Sequence, residues 1–249
     1  VLLVTACARD EAMDVDFLPL TVEVQEKSYA AGKMPGGFFK REGRPSEQAI
    51  LNCRLVDRPL RPLFPKNYHN DTQIAITVLS TDLEFPYSSL GILGASMALM
   101  VSDIPFSEPV GACEIGYVDG ELIVNPTYEQ LESSDLQLTV AGTSEAIMMV
   151  EAGANFVSEE LLLEALELAQ ENNIKMAELQ KKIVKEIGKE KNVIEEKLNE
   201  PVINSELLDA LAEKINQLYD KGLSKSELSN EKKKLIEELA DKIEIEDES

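Results

Sequence analysis

The residues best suited to acting on a polyanion are gathered between Gly32 and Pro65, in GKMPGGFFKREGRPSEQAILNCRLVDRPLRPLFP. This stretch holds Lys33, Lys40, Arg41, Arg44, Arg54, Arg58 and Arg61, with Lys66 just beyond it, against Glu42, Glu47 and Asp57. The chain as a whole has a formal net charge of −22, a field that repels nucleic acid. A local surplus of guanidinium groups in such a chain points to a phosphate-bearing partner. Phe38 and Phe39 place two neighbouring rings among the cations, a combination on which single-stranded bases stack. Gly36, Gly37 and Gly43 let this backbone turn sharply and approach a ligand. Pro45 suits a first helical turn, and Ser46 to Leu55 reads as an amphipathic helix whose positive dipole end welcomes phosphate. Pro59 and Pro62 are expected to stop that helix near Asp57, leaving Arg54 and Arg58 on one face and Arg61 in the turn beyond. Spacing alone leaves a second reading level with the first: the arginines pair with carboxylates elsewhere, and the two phenylalanines are core rings.

The other reactive residue types form no comparable group. Cys7, Cys53 and Cys113 are odd in number and widely spaced, without a C-x-x-C pair, so neither a disulfide framework nor a zinc site is supported. His69 is the single histidine, set in the polar run KNYHND, and is given no role. Asp14 and Asp16 could serve as a carboxylate pair in acid/base work, but nothing in the sequence brings a partner to them, and such residues commonly sit in turns.

Length and composition bound the elements that must position the basic stretch. With 249 residues and 44% hydrophobic content the chain can bury one large core or two modest ones. No run approaches the roughly 18 apolar residues of a membrane span, and no secretory leader is visible, so no membrane role and an intracellular, cytoplasmic setting are expected. The portion from Ser158 onward carries 24 Asp and Glu against 14 Lys and no Arg, a composition that does not bind nucleic acid.

The chain opens on the apolar run VLLVTA, which reads as a buried strand, and a preceding segment that pairs with it is expected. Residues 17–26 alternate and predict a half-exposed strand, while QIAITVLST at 73–81 predicts a strand buried on both faces. SSLGILGASMALMV, Ser88 to Val101, reads as a buried helix in which Gly91, Gly94, Ala95 and Ser96 permit close packing. Asp119-Gly120 between Val110–Val118 and Glu121–Asn125 is a strong hairpin signal. Further strands follow at 136–140 and 146–151. After Asn155 the pattern turns helical: one long helix from Ser158 to Ile187, closed by Gly188, then helices at 205–219 and 227–243 around Lys221-Gly222.

FFKREGRPSE followed by RLVDRPLRPLFP resembles the signature of the bacterial polynucleotide phosphorylase family, in the first of its two ribonuclease-PH-type core domains. DFLPLTVEVQEKSYAAGKMPGGF before it, and VGACEIGYVDGELIVNPT and TVAGTSEAIMMVEAGA after it, agree in the same order. The resemblance implies an α/β (α+β) ribonuclease-PH-like core with a mixed sheet over residues 1–154, its N-terminal strand missing, followed by an all-helical linker domain over residues 155–249. It implies that the parent enzyme is a processive, phosphate-dependent 3′-to-5′ exoribonuclease. Such an enzyme cuts single-stranded RNA to nucleoside diphosphates and can run in reverse as a polymerase. Inorganic phosphate is then the co-substrate, and Mg²⁺ is bound by the second core domain, outside this chain. Single-stranded RNA, a homotrimeric ring and proteins of an RNA-degradation complex are the implied partners.

By the same resemblance Phe38 and Phe39 project into the ring's central channel, and Lys40, Arg41, Arg44, Arg54, Arg58 and Arg61 hold phosphates. Lys40 stands where the family commonly has arginine, which keeps charge but loses bidentate contact. No catalytic or metal-binding residue is expected in this chain. The active core's pattern D-x5-D-x-K-V-A-G-T is matched by LESSDLQLTVAGT, which puts Leu131 and Gln137 at the carboxylate positions and Thr139 at the lysine. Neither Leu nor Gln replaces a hard anionic ligand for Mg²⁺, and Asp135 nearby is a single carboxylate. Phe85-Pro86-Tyr87-Ser88-Ser89 stands in place of the serine-rich phosphate loop. The chain alone is therefore expected to be inactive. Two other readings stay open, a non-catalytic RNA-binding module and an acidic protein-interaction scaffold.

Overall fold

The structure, a computed structural model, describes residues 1–194, 212, 214–219, 221 and 225–240. Apolar runs and alternation set its strands. β1 (Leu2–Ala12) pairs antiparallel with β3 (Asn70–Val78), and β2 (Leu20–Glu26) pairs parallel with β3 on the other side, giving a three-stranded sheet of order β1-β3-β2. β3 is central, so Ile74, Ile76 and Val78 are buried. The opening strand, expected to be buried, is half-buried. It lies at the sheet's edge, with Leu2, Val4, Ala6 and Ala8 packed on the core and Leu3, Thr5, Cys7 and Arg9 facing out.

A second, antiparallel sheet has the order β5-β4-β6-β7, built from β4 (Gly111–Val118), β5 (Glu121–Val124), β6 (Leu136–Gly142) and β7 (Ile147–Ala154). The first sheet is mixed, as expected, and this second sheet is wholly antiparallel. The β4–β5 turn takes both central residues to positive φ, Asp119 at 52° and Gly120 at 86°, which matches the right-handed twist of the strands it joins.

Helices α1 (Glu47–Leu60) and α2 (Ser88–Val101) cover the first sheet, and Val56, Leu60, Ile74, Ile76, Ile92, Leu99 and Phe106 form the centre of this core. A short helix, α3 (Tyr128–Glu132), opens on a capping box between Thr127 and Gln130. α4 (Glu159–Ile187) begins where Ser158 Oγ accepts from the Leu161 N–H at 3.2 Å. Its buried stripe is Ala165, Ala169, Asn173, Ala177 and Gln180, spaced by four and then three. Small side chains there let the helix lie close on β4 and β6 over Cys113, Ile115, Leu138 and Val140.

Two details show how tight the fit is. A Cβ built on Gly111 would sit 2.5 Å from the Asn173 carbonyl oxygen. Gln180 donates to the Val110 carbonyl at 2.8 Å and accepts from Ser96 Oγ at 2.8 Å, tying α4 to β4 and α2.

The first compact unit runs Val1–Glu195 and includes α4, which packs on the second core. The second unit is Glu196–Ser249. Its described part comprises helical residues 214–219 and α5 (Lys225–Ala240), with Leu218 and Leu235 buried. Lys232 Nζ lies 2.7 Å from the Tyr219 hydroxyl and 4.7 Å over that ring. The rest of the helices expected at 205–219 and 227–243 falls outside the described residues. No described helix is long and apolar enough to cross a membrane.

Candidate nucleic-acid interface

The basic loop is built from its anchors outward. A 3₁₀ turn (Ser28–Ala31) ends at Gly32, whose φ of 68° reverses the chain. Beyond it, Glu42 reaches back: the Ser28 N–H and Oγ donate to its two carboxylate oxygens at 2.8 and 3.0 Å. The loop between these fixed points stands out from the body. Phe38 is 93% exposed and Phe39 77% exposed, edge to face at 5.4 Å between ring centres. They are not core rings. Lys40 turns the chain at a φ of 50°, and Lys40, Arg41 and Arg44 are exposed with no ion pair among the described residues.

Helix α1 follows, and both of its ends correct the reading from spacing. At the start, Ser46 Oγ accepts from the Ala49 N–H at 3.0 Å and donates to Glu26, while Glu47 occupies the first turn. Carboxylates already face this dipole end, so it is not open to phosphate. At the finish, the helix passes through Pro59 to Leu60 and continues as a 3₁₀ turn over Arg61–Leu63. A proline so near the end forfeits one backbone bond, and Pro59 and Leu60 are both buried.

The consequence falls on Arg61. One turn beyond Asp57, its guanidinium grips that carboxylate with Nε–Oδ2 at 2.9 Å and Nη2–Oδ1 at 2.7 Å. Its other N–H groups donate to the Leu18 and Leu20 carbonyls at 2.9 and 3.1 Å. Arg61 staples α1 to the entry of β2 with four of its five N–H groups. It leaves the set of site residues. Arg54 and Arg58 do share the exposed face of α1; Arg58 makes a loose pair with Glu151 at 3.3 Å, and Arg54 has no ion pair among the described residues.

Leu131, Gln137 and Thr139 line a cleft of about 570 Å³ formed by β2, α1, the start of α2, β4, α3, β6 and β7. Glu114, 3% exposed, borders it and accepts from Gln137 Nε2 at 2.7 Å. Burial pushes the Glu114 carboxyl above the usual carboxylate range, with the Gln137 bond pulling back. Tyr87 donates to Glu26, and burial together with that bond raises its phenol well above its ordinary value. Mg²⁺ does not fit here: among the described residues no group of three or more Asp, Glu, His or Cys could hold a metal ion.

Sequence reasoning missed Glu26, Glu114 and Glu151 as neighbours, since they come from three strands with no shared spacing. Asp14 and Asp16 are exposed, and Asp135 accepts from Asn155 Nδ2 at 3.1 Å as a turn residue. Cys7, Cys53 and Cys113 are free thiols.

Comparison with known proteins agrees with this architecture. The profile described as "3′ exoribonuclease family, domain 1" matches residues 1–105, and "3′ exoribonuclease family, domain 2" matches residues 108–172. The chain belongs to the 3′ exoribonuclease family. Relatives of this family member include three proteins named polyribonucleotide nucleotidyltransferase. One from Finegoldia magna is 55% identical over 192 residues, 77% of this chain and 27% of the relative. One from Caldicellulosiruptor saccharolyticus is 49% identical over 206 residues, 80% of this chain and 29% of the relative. One from Syntrophomonas wolfei is 48% identical over 224 residues, 90% of this chain and 31% of the relative. The chain spans about three tenths of the length of the curated relatives it matches.

Proposed function

We propose that this chain is the RNA-guiding part of a polyribonucleotide nucleotidyltransferase, a phosphate-dependent 3′-to-5′ exoribonuclease that shortens single-stranded RNA processively to nucleoside diphosphates. The observation that carries the reading is the pair Phe38 and Phe39, exposed beside Lys40, Arg41 and Arg44, which have no ion pair among the described residues, on an anchored loop. Exposed rings of this size are costly to hold in water without a partner. Bases stack on the rings while Lys40, Arg41, Arg44, Arg54 and Arg58 neutralise phosphates, a mode that tolerates any base and lets the strand advance.

In the whole enzyme, phosphate attacks the terminal linkage and the 3′ nucleotide leaves as a diphosphate. Catalysis of such a step is largely positioning and charge stabilisation. Mg²⁺ belongs to another part of that enzyme, and the share of this chain is to present the strand. Residues 155–249 act as the helical linker, its first helix docked on the core. The assembly is a homotrimer in the cytoplasm whose loops meet at one channel.

Titration of fluorescent oligo(A) against salt tests the assignment. Arg41→Ala with Arg44→Ala should weaken binding and flatten the plot of log affinity against log salt by about 1.4, two single-strand phosphate contacts. Phe38→Ala with Phe39→Ala should cost about 1–3 kcal/mol per stacked base with little change in salt slope. Unchanged affinity in both variants would remove the loop as the RNA site. Incubation of this chain alone with poly(A), phosphate and Mg²⁺ should release no ADP.

A further inference from the structure

Burial does little to hold the basic loop in one orientation. From Met34 to Pro45 every residue but Pro35 is exposed, so packing leaves this backbone free to move. Among the described residues, the hydrogen bonds that tie this stretch to the rest of the chain all end on Glu42. Its two oxygens are used separately, Oε1 accepting from the Ser28 N–H and Oε2 from Ser28 Oγ. Ser28 is itself fixed to the body. The 3₁₀ turn it opens accepts the Thr81 N–H at the Ala30 carbonyl at 3.0 Å, just past the end of β3.

Glu42 stands between Arg41 and Arg44 in the sequence. A carboxylate left in solvent there would pair with either arginine and set a negative charge in the path of a phosphate. Turned inward onto Ser28 it does neither, and Arg41 and Arg44 have no ion pair among the described residues. A loose loop has to be ordered when the strand binds, and that loss of entropy is subtracted from affinity. A loop already clipped to the body has met it in folding.

We infer that Glu42 is a positioning residue for RNA, its two hydrogen bonds to Ser28 holding Phe38, Phe39, Arg41 and Arg44 in the orientation that receives the strand. The inference rests on the RNA-guiding reading of this loop and adds to it a residue of the wrong charge for direct contact. Charge and positioning therefore act in opposite directions. By charge alone, loss of Glu42 strengthens RNA binding. By positioning, it weakens it.

Titration of the 249-residue chain with fluorescent oligo(A) at about 0.15 M salt decides between them. Glu42→Ala should weaken binding about tenfold, the cost of ordering a freed loop. Its urea midpoint should equal that of the parent, since the side chain is exposed. Its salt slope should also match the parent's, because the same cations meet the phosphates. Glu42→Gln keeps an acceptor for Ser28 and should recover most of the loss, whereas an effect of charge would put Gln and Ala level. Ser28→Ala changes no charge and should weaken binding about threefold, adding little on top of Glu42→Ala because both break one clip. Arg41→Ala with Arg44→Ala is measured alongside. If that pair weakens binding while Glu42→Ala binds as tightly as the parent or more tightly, the positioning role is overturned and the RNA site stands. A loss in Glu42→Ala that Gln does not recover, or that follows a fall in the urea midpoint, also overturns it. No effect of the arginine pair removes the RNA site, and this inference with it.

Discussion

Replacing Arg61 by methionine separates a structural arginine from an RNA-binding one. In the native chain the guanidinium makes two charge-assisted bonds to Asp57 and donates to the Leu18 and Leu20 carbonyls. Methionine keeps the packing of the stem and removes all four. Bonds to a charged group are each worth about 1.5–3 kcal/mol when buried. The Arg61 side chain is 40% exposed and Asp57 27% exposed, so water replaces part of what is lost. The net cost should be about 2 kcal/mol, a fall in midpoint of about 5 °C for a unit of this size. Asp57→Asn should cost less, and the double variant should cost less than the sum, because the pair is shared. Urea denaturation of each variant gives the cycle, and oligo(A) titration gives the salt slope. If Arg61→Met leaves stability unchanged but flattens the salt slope as Arg41→Ala does, Arg61 is a phosphate ligand and the stapling account is wrong.

Two further outcomes follow from packing and charge. Gly111→Ala pushes a methyl against the Asn173 backbone, which cannot yield as a side chain end would. It should destabilise the compact unit by about 3 kcal/mol and speed proteolysis within α4, and a change under about 0.5 kcal/mol would show that α4 does not rest on β4 as described. Glu114 binds its proton more tightly in the folded state, so its effect on stability is most favourable below the unfolded value near 4.3 and declines as pH rises through the raised folded value. Glu114→Gln should therefore be more stable than the parent by about 1 kcal/mol at pH 7 and equal to it near pH 4. A difference that does not vary with pH would mean that charge burial is not the cause.

Much of this fold is decided by neighbours in the sequence. The I′ turn at Asp119-Gly120, the Ser158 cap, the long helix closing at Gly188 and the buried helix from Ser88 to Val101 each depend on residues within one or two turns, and each was readable as such. The basic loop and its two phenylalanines were readable for the same reason, since the glycines, rings and cations that mark them lie together between Gly36 and Arg44. Pro59 does not stop the helix at Asp57 because it stands one residue from the helix end at Leu60, where only one backbone bond is forfeited.

What the sequence by itself determined is therefore local chemistry: turns, caps, periodicity and the gathering of charge in one exposed stretch. Only the tertiary structure decided which arginine is spent on Asp57, which strand lies at an edge, that α4 belongs to the core, and that three glutamates from separate strands share one cleft. The physical reason is separation along the chain. Arg58 and Glu151 stand 93 residues apart, and only the pairing order of two sheets brings such groups within reach. No spacing rule that runs over a few residues contains that information.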